Sequence, residues 1–162
     1  MKQILIVEDD ELLNKMLVYN LQSESYGIVS VETVKEAMEV LKSQLFDLVL
    51  LDIKHIDEEQ HRILTGQSNR NILRMAQLLS EMKKPMWIRH VLVPGVTDQE
   101  EDLLALRDFV ASLKTVDRVE ILPYHTLGVF KWKELGLSYG LEDVEPPTKE
   151  QLERAKKLLG IA

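Results

Sequence analysis

The sequence predicts an α/β protein built on one parallel five-stranded sheet. Three observations carry that expectation. Short, continuous apolar runs recur, the clearest being ILIV at 4–7 and LVLLDI at 48–53, as expected of strands buried on both faces. Between these runs lie segments whose apolar residues recur at 3–4 spacing, the pattern of a helix lying on a sheet. The chain has 162 residues, enough for one domain with a real core but short of the roughly 200 that an eightfold barrel takes.

Strand one is expected at 4–7. The helix after it, 11–22, carries Leu12, Leu13, Met16, Leu17 and Leu21 on one stripe. Strand two follows at 28–31. Thr33 and Glu36 then form a capping box for a helix with Val34, Ala37, Met38 and Leu41 inward. Strand three, 47–53, is the most apolar. A short helix over 57–64 ends at Gly66. Residues 69–83 form a long helix on Ile72, Leu73, Ala76, Leu79 and Met82, stopped by Lys84-Pro85. Strand four, 86–93, ends at Pro94-Gly95. Thr97 and Glu100 read as a capping box for a helix through Leu113, and strand five is expected at 119–122. Residues 125–147 are loop-like, with Gly128, Gly136, Gly140, Pro146 and Pro147. Thr148 and Gln151 cap a last helix to Leu159. Such alternation implies right-handed crossovers and a doubly wound, flavodoxin-like sheet in the order 2-1-3-4-5. A single domain over 1–162 is expected, with the first and last helices packed together on one face and cavities or mobility near the last helix and residues 125–147.

Charge and composition narrow the function. Lys plus Arg is 20 and Asp plus Glu is 27, a formal charge of −7, which argues against a nucleic-acid binder. There is no cysteine, which excludes disulfides, thiolate zinc sites and Cys-ligated iron–sulfur clusters. No apolar run approaches a membrane span, and the acids after residue 7 are unlike a signal peptide. A cytoplasmic monomer without partners is the expectation.

The strand order places the ends of strands one and three side by side at the carboxyl edge of the sheet. Glu8 and Asp9 follow strand one and Asp52 ends strand three. Three convergent carboxylates suit a hard cation such as Mg²⁺, and an Asp carboxylate beside such an ion is a candidate nucleophile toward phosphorus. Asp10 reads as a cap on the first helix.

Residues 1 to about 53, with ILIVEDD, ELLNKMLVYNL, T-VKEAMEVL and FDLVLLDI, resemble the first half of a bacterial response-regulator receiver domain. The resemblance implies that Glu8 and Asp9 are metal-side acids and Asp52 a phosphoacceptor. It then stops. Lys54-His55-Ile56-Asp57 replaces the short Pro/Gly loop, Leu92-Val93-Pro94 replaces the strand-four hydroxyl, and Leu122-Pro123-Tyr124-His125 replaces the strand-five lysine.

From Asp52 onward, DIKHIDEEQHRILTGQSN, WIRHVLVPGVTD, VEILPYHTLGVFKWKELG and VEPPTKEQLERAKKLL resemble the second half of the radical S-adenosylmethionine (SAM) activases of glycyl-radical enzymes, the pyruvate formate-lyase activating type. The resemblance implies a partial β/α barrel and places Asp52, Lys54, Arg89 and His125 on the SAM side. That family also needs a C-x₃-C-x₂-C triad and a Gly-Gly-Glu strand end, both absent here. The resulting expectation is an engineered hybrid, 1–53 from a receiver and 54–162 from an activase, with no catalytic function and no cofactor beyond weak Mg²⁺. Residual Mg²⁺ or anion binding with Asp52 as phosphoacceptor is the alternative.

Plainer roles are expected for several of these residues. Lys54 should pair with Asp52 or Asp9, and Arg89 with Glu120, because an unpaired buried guanidinium is costly. His55, His61, His90 and His125 show no metal-ligand spacing and read as surface or hydrogen-bonded residues. Trp87 and Trp132 read as packing residues.

Overall fold

The computed structural model describes residues 1–8, 11–127, 129, 130, 136 and 138–161. The strands are β1 (Gln3–Val7), β2 (Gly27–Val31), β3 (Leu48–Asp52), β4 (Met86–Leu92) and β5 (Val116–Pro123). The helices are α1 (Glu11–Ser23), α2 (Val34–Ser43), α3 (Glu58–Thr65), α4 (Arg70–Glu81), α5 (Glu100–Ser112) and, after β5, α6 (Lys149–Leu159). The sheet is entirely parallel in the order β2-β1-β3-β4-β5, so the predicted architecture is the observed one.

Strand parity divides the core. Leu5, Val7, Val49, Leu51, Ile53, Met86 and Ile88 face one way. They are covered by Ala37 and Leu41 of α2, Met75, Ala76 and Leu79 of α4, Leu103 and Leu106 of α5, and Ala155 and Leu159 of α6. Ile4, Ile6 and Leu50 face the other way, under Leu17, Val18 and Leu21 of α1, with Trp87 at the margin. The Arg118 guanidinium lies 5.2 Å from the centroid of the Trp87 ring.

Two local expectations are corrected. The last helix does not join α1. Its stripe of Leu152, Ala155, Leu158 and Leu159 packs with the apolar side of α5 on the opposite face, and Arg154 donates to Glu100 across the pair at 2.9 Å. Thr97 does not cap α5, whose N-cap is Gln99. Its hydroxyl closes the turn after β4, accepting from Val93 N at 2.8 Å and donating to Val91 O at 2.7 Å. The boxes at Thr33/Glu36 and Thr148/Gln151 form as the spacing predicts. Gly66 ends α3 with φ 77°, a conformation that costs glycine little.

Candidate functional site

The parity that sorts the core also builds the site. Alternation carries Ile4 and Ile6 onward to Glu8, Leu48 and Leu50 onward to Asp52 and Lys54, and Trp87 onward to Arg89. Register places Arg89 beside Asp52 on one side and Glu120 on the other. Arg89 turns toward β3 and β1. Its Nε donates to Asp52 Oδ1 at 2.6 Å, Nη2 lies 2.6 Å from the same oxygen, and Nη2 donates to Glu8 Oε2 at 3.2 Å. Lys54 Nζ donates to Glu8 Oε1 at 3.3 Å. Glu120 is held instead by Arg118 at 3.0 Å.

Burial makes these pairings matter. The side chains of Glu8, Arg89 and Asp52 are 0%, 5% and 6% exposed. Among the described residues two carboxylates and two cations meet here, and pairing of opposite charges is what lets them sit away from water. One acceptor is left over: Asp52 Oδ2 is buried and has no hydrogen-bond partner among the described residues. Asp52 and Lys54 line a cleft of about 470 Å³ between the N-terminal turn of α2 and the α3–α4 segment, walled by Thr33, Lys35, Thr65 and Asn71.

A second polar layer supports this edge. His90 is buried, with Nδ1 2.9 Å from Ile53 O and Nε2 3.2 Å from Thr97 O. Burial holds its pKa below the ordinary histidine value, against the raising effect of those carbonyls and of Asp52; nearby His55 lowers it further. His55 is buried, accepts from Asp57 N at Nδ1, and turns Nε2 toward Asp102 Oδ2 at 3.5 Å. Asn69 Nδ2 donates to the carbonyls of His55 and Ile56, fixing the loop that carries Lys54. Sequence spacing missed this layer, because nothing local distinguishes a histidine facing carbonyls of another segment from an exposed one.

The predicted site residues divide accordingly. Glu8, Asp52, Lys54 and Arg89 come together. Asp9, with Asp10 and Trp132, lies outside the described residues. His125 is exposed beyond the end of β5, and no hydrogen bond or ion pair among the described residues joins it to the other four. Among the described residues no group of three or more His, Asp or Glu side chains is arranged to hold a metal ion. The Arg89 guanidinium bridges Glu8 and Asp52.

Comparison with known proteins matches residues 5–107 to the Radical SAM superfamily. The chain belongs to the radical SAM superfamily. The pyruvate formate-lyase-activating enzyme of Streptococcus mutans is 60% identical over 113 residues, covering 70% of this chain and 43% of that protein. That of Staphylococcus epidermidis is 59% identical over 115 residues, 71% and 46% of the two chains. The chain thus spans less than half the length of these curated relatives. Among solved structures, a domain of a pyruvate-formate lyase-activating enzyme from Bacteroides vulgatus aligns at TM-score 0.65 and 20% identity, covering 99% of this chain and 94% of that one. The HemR receiver domain of Leptospira biflexa aligns at TM-score 0.51 and 23% identity, covering 86% and 96%. At such identities these two share the fold.

The radical SAM assignment corrects three expectations. An engineered hybrid without catalytic function does not stand, because the superfamily match runs unbroken through residue 53. A non-enzyme does not stand, because the relatives at about 60% identity are named as enzymes. An absence of cofactors does not stand at the level of the family, which implies an iron–sulfur cluster and SAM. The missing cysteines bound what these residues can ligate, not the class to which the chain belongs. The fit of the cluster to the residues present is nonetheless poor. The 162 residues contain no cysteine and contribute no thiolate to it.

Proposed function

We propose that this chain carries the substrate-side strand ends of an activase-type radical SAM enzyme, with the cluster ligands supplied from outside these 162 residues. The observation behind this reading is the 60% identity over 113 residues to an enzyme that activates pyruvate formate-lyase. Asp52, Lys54 and Arg89 at adjacent strand ends are the groups suited to orient a zwitterionic ligand there, the carboxylate toward an ammonium and the cations toward a carboxylate. His125 is assigned to the same side by the family resemblance. The first 53 residues are read as receiver-like, supported by the 2-1-3 start of the sheet and the carboxylate Glu8 at the end of β1.

The test combines the chain with the part of the Streptococcus mutans enzyme that lies outside the matched 113 residues. The mixture is reconstituted anaerobically with iron, sulfide, SAM and a reductant, then assayed for a glycyl radical on pyruvate formate-lyase by electron paramagnetic resonance. A signal that needs both pieces is expected. No signal from a folded chain that also gives no heat with SAM in calorimetry would overturn the reading.

A further inference from the structure

We propose that β5 is a docking edge for a second copy of this chain, the two β5 strands pairing antiparallel about Val119 and joining their sheets. Among the described residues β5 ends the sheet and pairs with β4 alone, over eight residues where the other edge strand, β2, has five. In a parallel pair, alternate residues turn both main-chain groups toward the neighbouring strand. Tyr124 N donates to Leu92 O at 3.1 Å, so register sends the groups of Glu120 and Leu122 toward β4 and those of Val119 and Ile121 away from it. No hydrogen bond among the described residues takes up the outward N–H and C=O of Val119 and Ile121. Such an edge is a template for another strand.

The side chains select both the occupant and the register. A two-fold pairing centred on Val119 sets Arg118 of each copy opposite Glu120 of the other. These are non-hydrogen-bonded positions, where facing side chains come closest and opposite charges are favourable. Arg118 and Glu120 already lie on one face of β5, 3.0 Å apart and partly exposed, within reach of a strand laid along the edge. The same register brings Asp117 of the second copy opposite Ile121, at a groove of about 440 Å³ that Lys156 also lines. Centring on Asp117 would oppose two carboxylates. Centring on Ile121 would set Pro123, which has no N–H, opposite Val119, whose outward C=O needs a donor.

Sedimentation equilibrium of the whole chain, from micromolar to millimolar concentration, is the test. Wild type should show a reversible monomer–dimer equilibrium in the upper micromolar range, as suits a small interface. Glu120→Arg sets like charges opposite one another and should weaken the dimer about tenfold, because symmetry counts each lost pair twice. Combining it with Arg118→Glu restores opposite charges across the edge and should return the affinity to within about threefold of wild type. Val119→Pro deletes an N–H that points away from β4, leaves the ladder intact and should abolish the dimer. Circular dichroism checks that each variant is folded; should Val119→Pro unfold, the charge-swapped set alone decides. A wild type monomeric at millimolar concentration, a dimer equally strong in Glu120→Arg, or a double variant no tighter than Glu120→Arg would overturn the proposal.

Discussion

Asp52 and Arg89 are register partners on β3 and β4, and the guanidinium of Arg89 meets Asp52 Oδ1 at 2.6 Å where both side chains are almost fully buried. The pair couples the two strands whose ends form the site. Breaking a buried pair from one side leaves a charge without compensation, at a cost of about 3–5 kcal/mol. Arg89→Met should therefore destabilise the fold by that amount, since it strands Asp52 and half of Glu8. Asp52→Asn should cost less, because the amide oxygen still accepts from Arg89. Urea midpoints of both variants check the order, and equal losses would contradict it.

His90 gives the fold a pH dependence of definite sign. Its folded pKa lies below the ordinary value of 6.5, first because it is buried. The unfolded chain then takes up the proton before the folded one. Stability is full above about 6.5 and falls as the pH drops from there toward the folded value. Comparing wild type with His90→Gln at pH 7.5 and pH 5.5 should show a smaller acid loss in the variant. An identical slope would assign the acid sensitivity to other groups.

The placement of α6 against α5 makes a packing prediction. Leu159 is buried in the larger core cluster, so Leu159→Ala should cost about 2–5 kcal/mol. Leu17 lies on the opposite face under α1. The losses from Leu159→Ala and Leu17→Ala should therefore add within about 0.5 kcal/mol, as they do for sites without shared partners. Strong coupling between them would restore the first-and-last-helix arrangement.

The cap on α6 is also measurable. Thr148 Oγ1 accepts from Gln151 N at 3.2 Å and Gln151 Oε1 accepts from Thr148 N at 2.8 Å. Thr148→Ala should cost about 1 kcal/mol, and Thr148→Asp should retain most of the stability, because an Asp carboxylate caps the same N–H. Thermal melts of the two variants distinguish loss of the cap from loss of bulk.

The sequence by itself determined the strand count and order, the caps at Thr33 and Thr148, and the strand-end positions of Glu8, Asp52, Lys54 and Arg89. These features rest on local periodicity and on the handedness of β/α units, which any window of the chain displays. Three matters were decided only in the tertiary structure. Arg89 chose Asp52 and Glu8 over its neighbour Glu120, because Arg118 already holds Glu120 near the sheet edge while the buried side offers two carboxylates. The last helix chose α5, because an apolar stripe fixes which face of a helix is buried but not against what. His55 and His90 became buried groups, because Asp102 and Ile53, which their rings face, lie on segments far along the chain. Local pattern specifies which groups must be satisfied; three-dimensional proximity decides by whom.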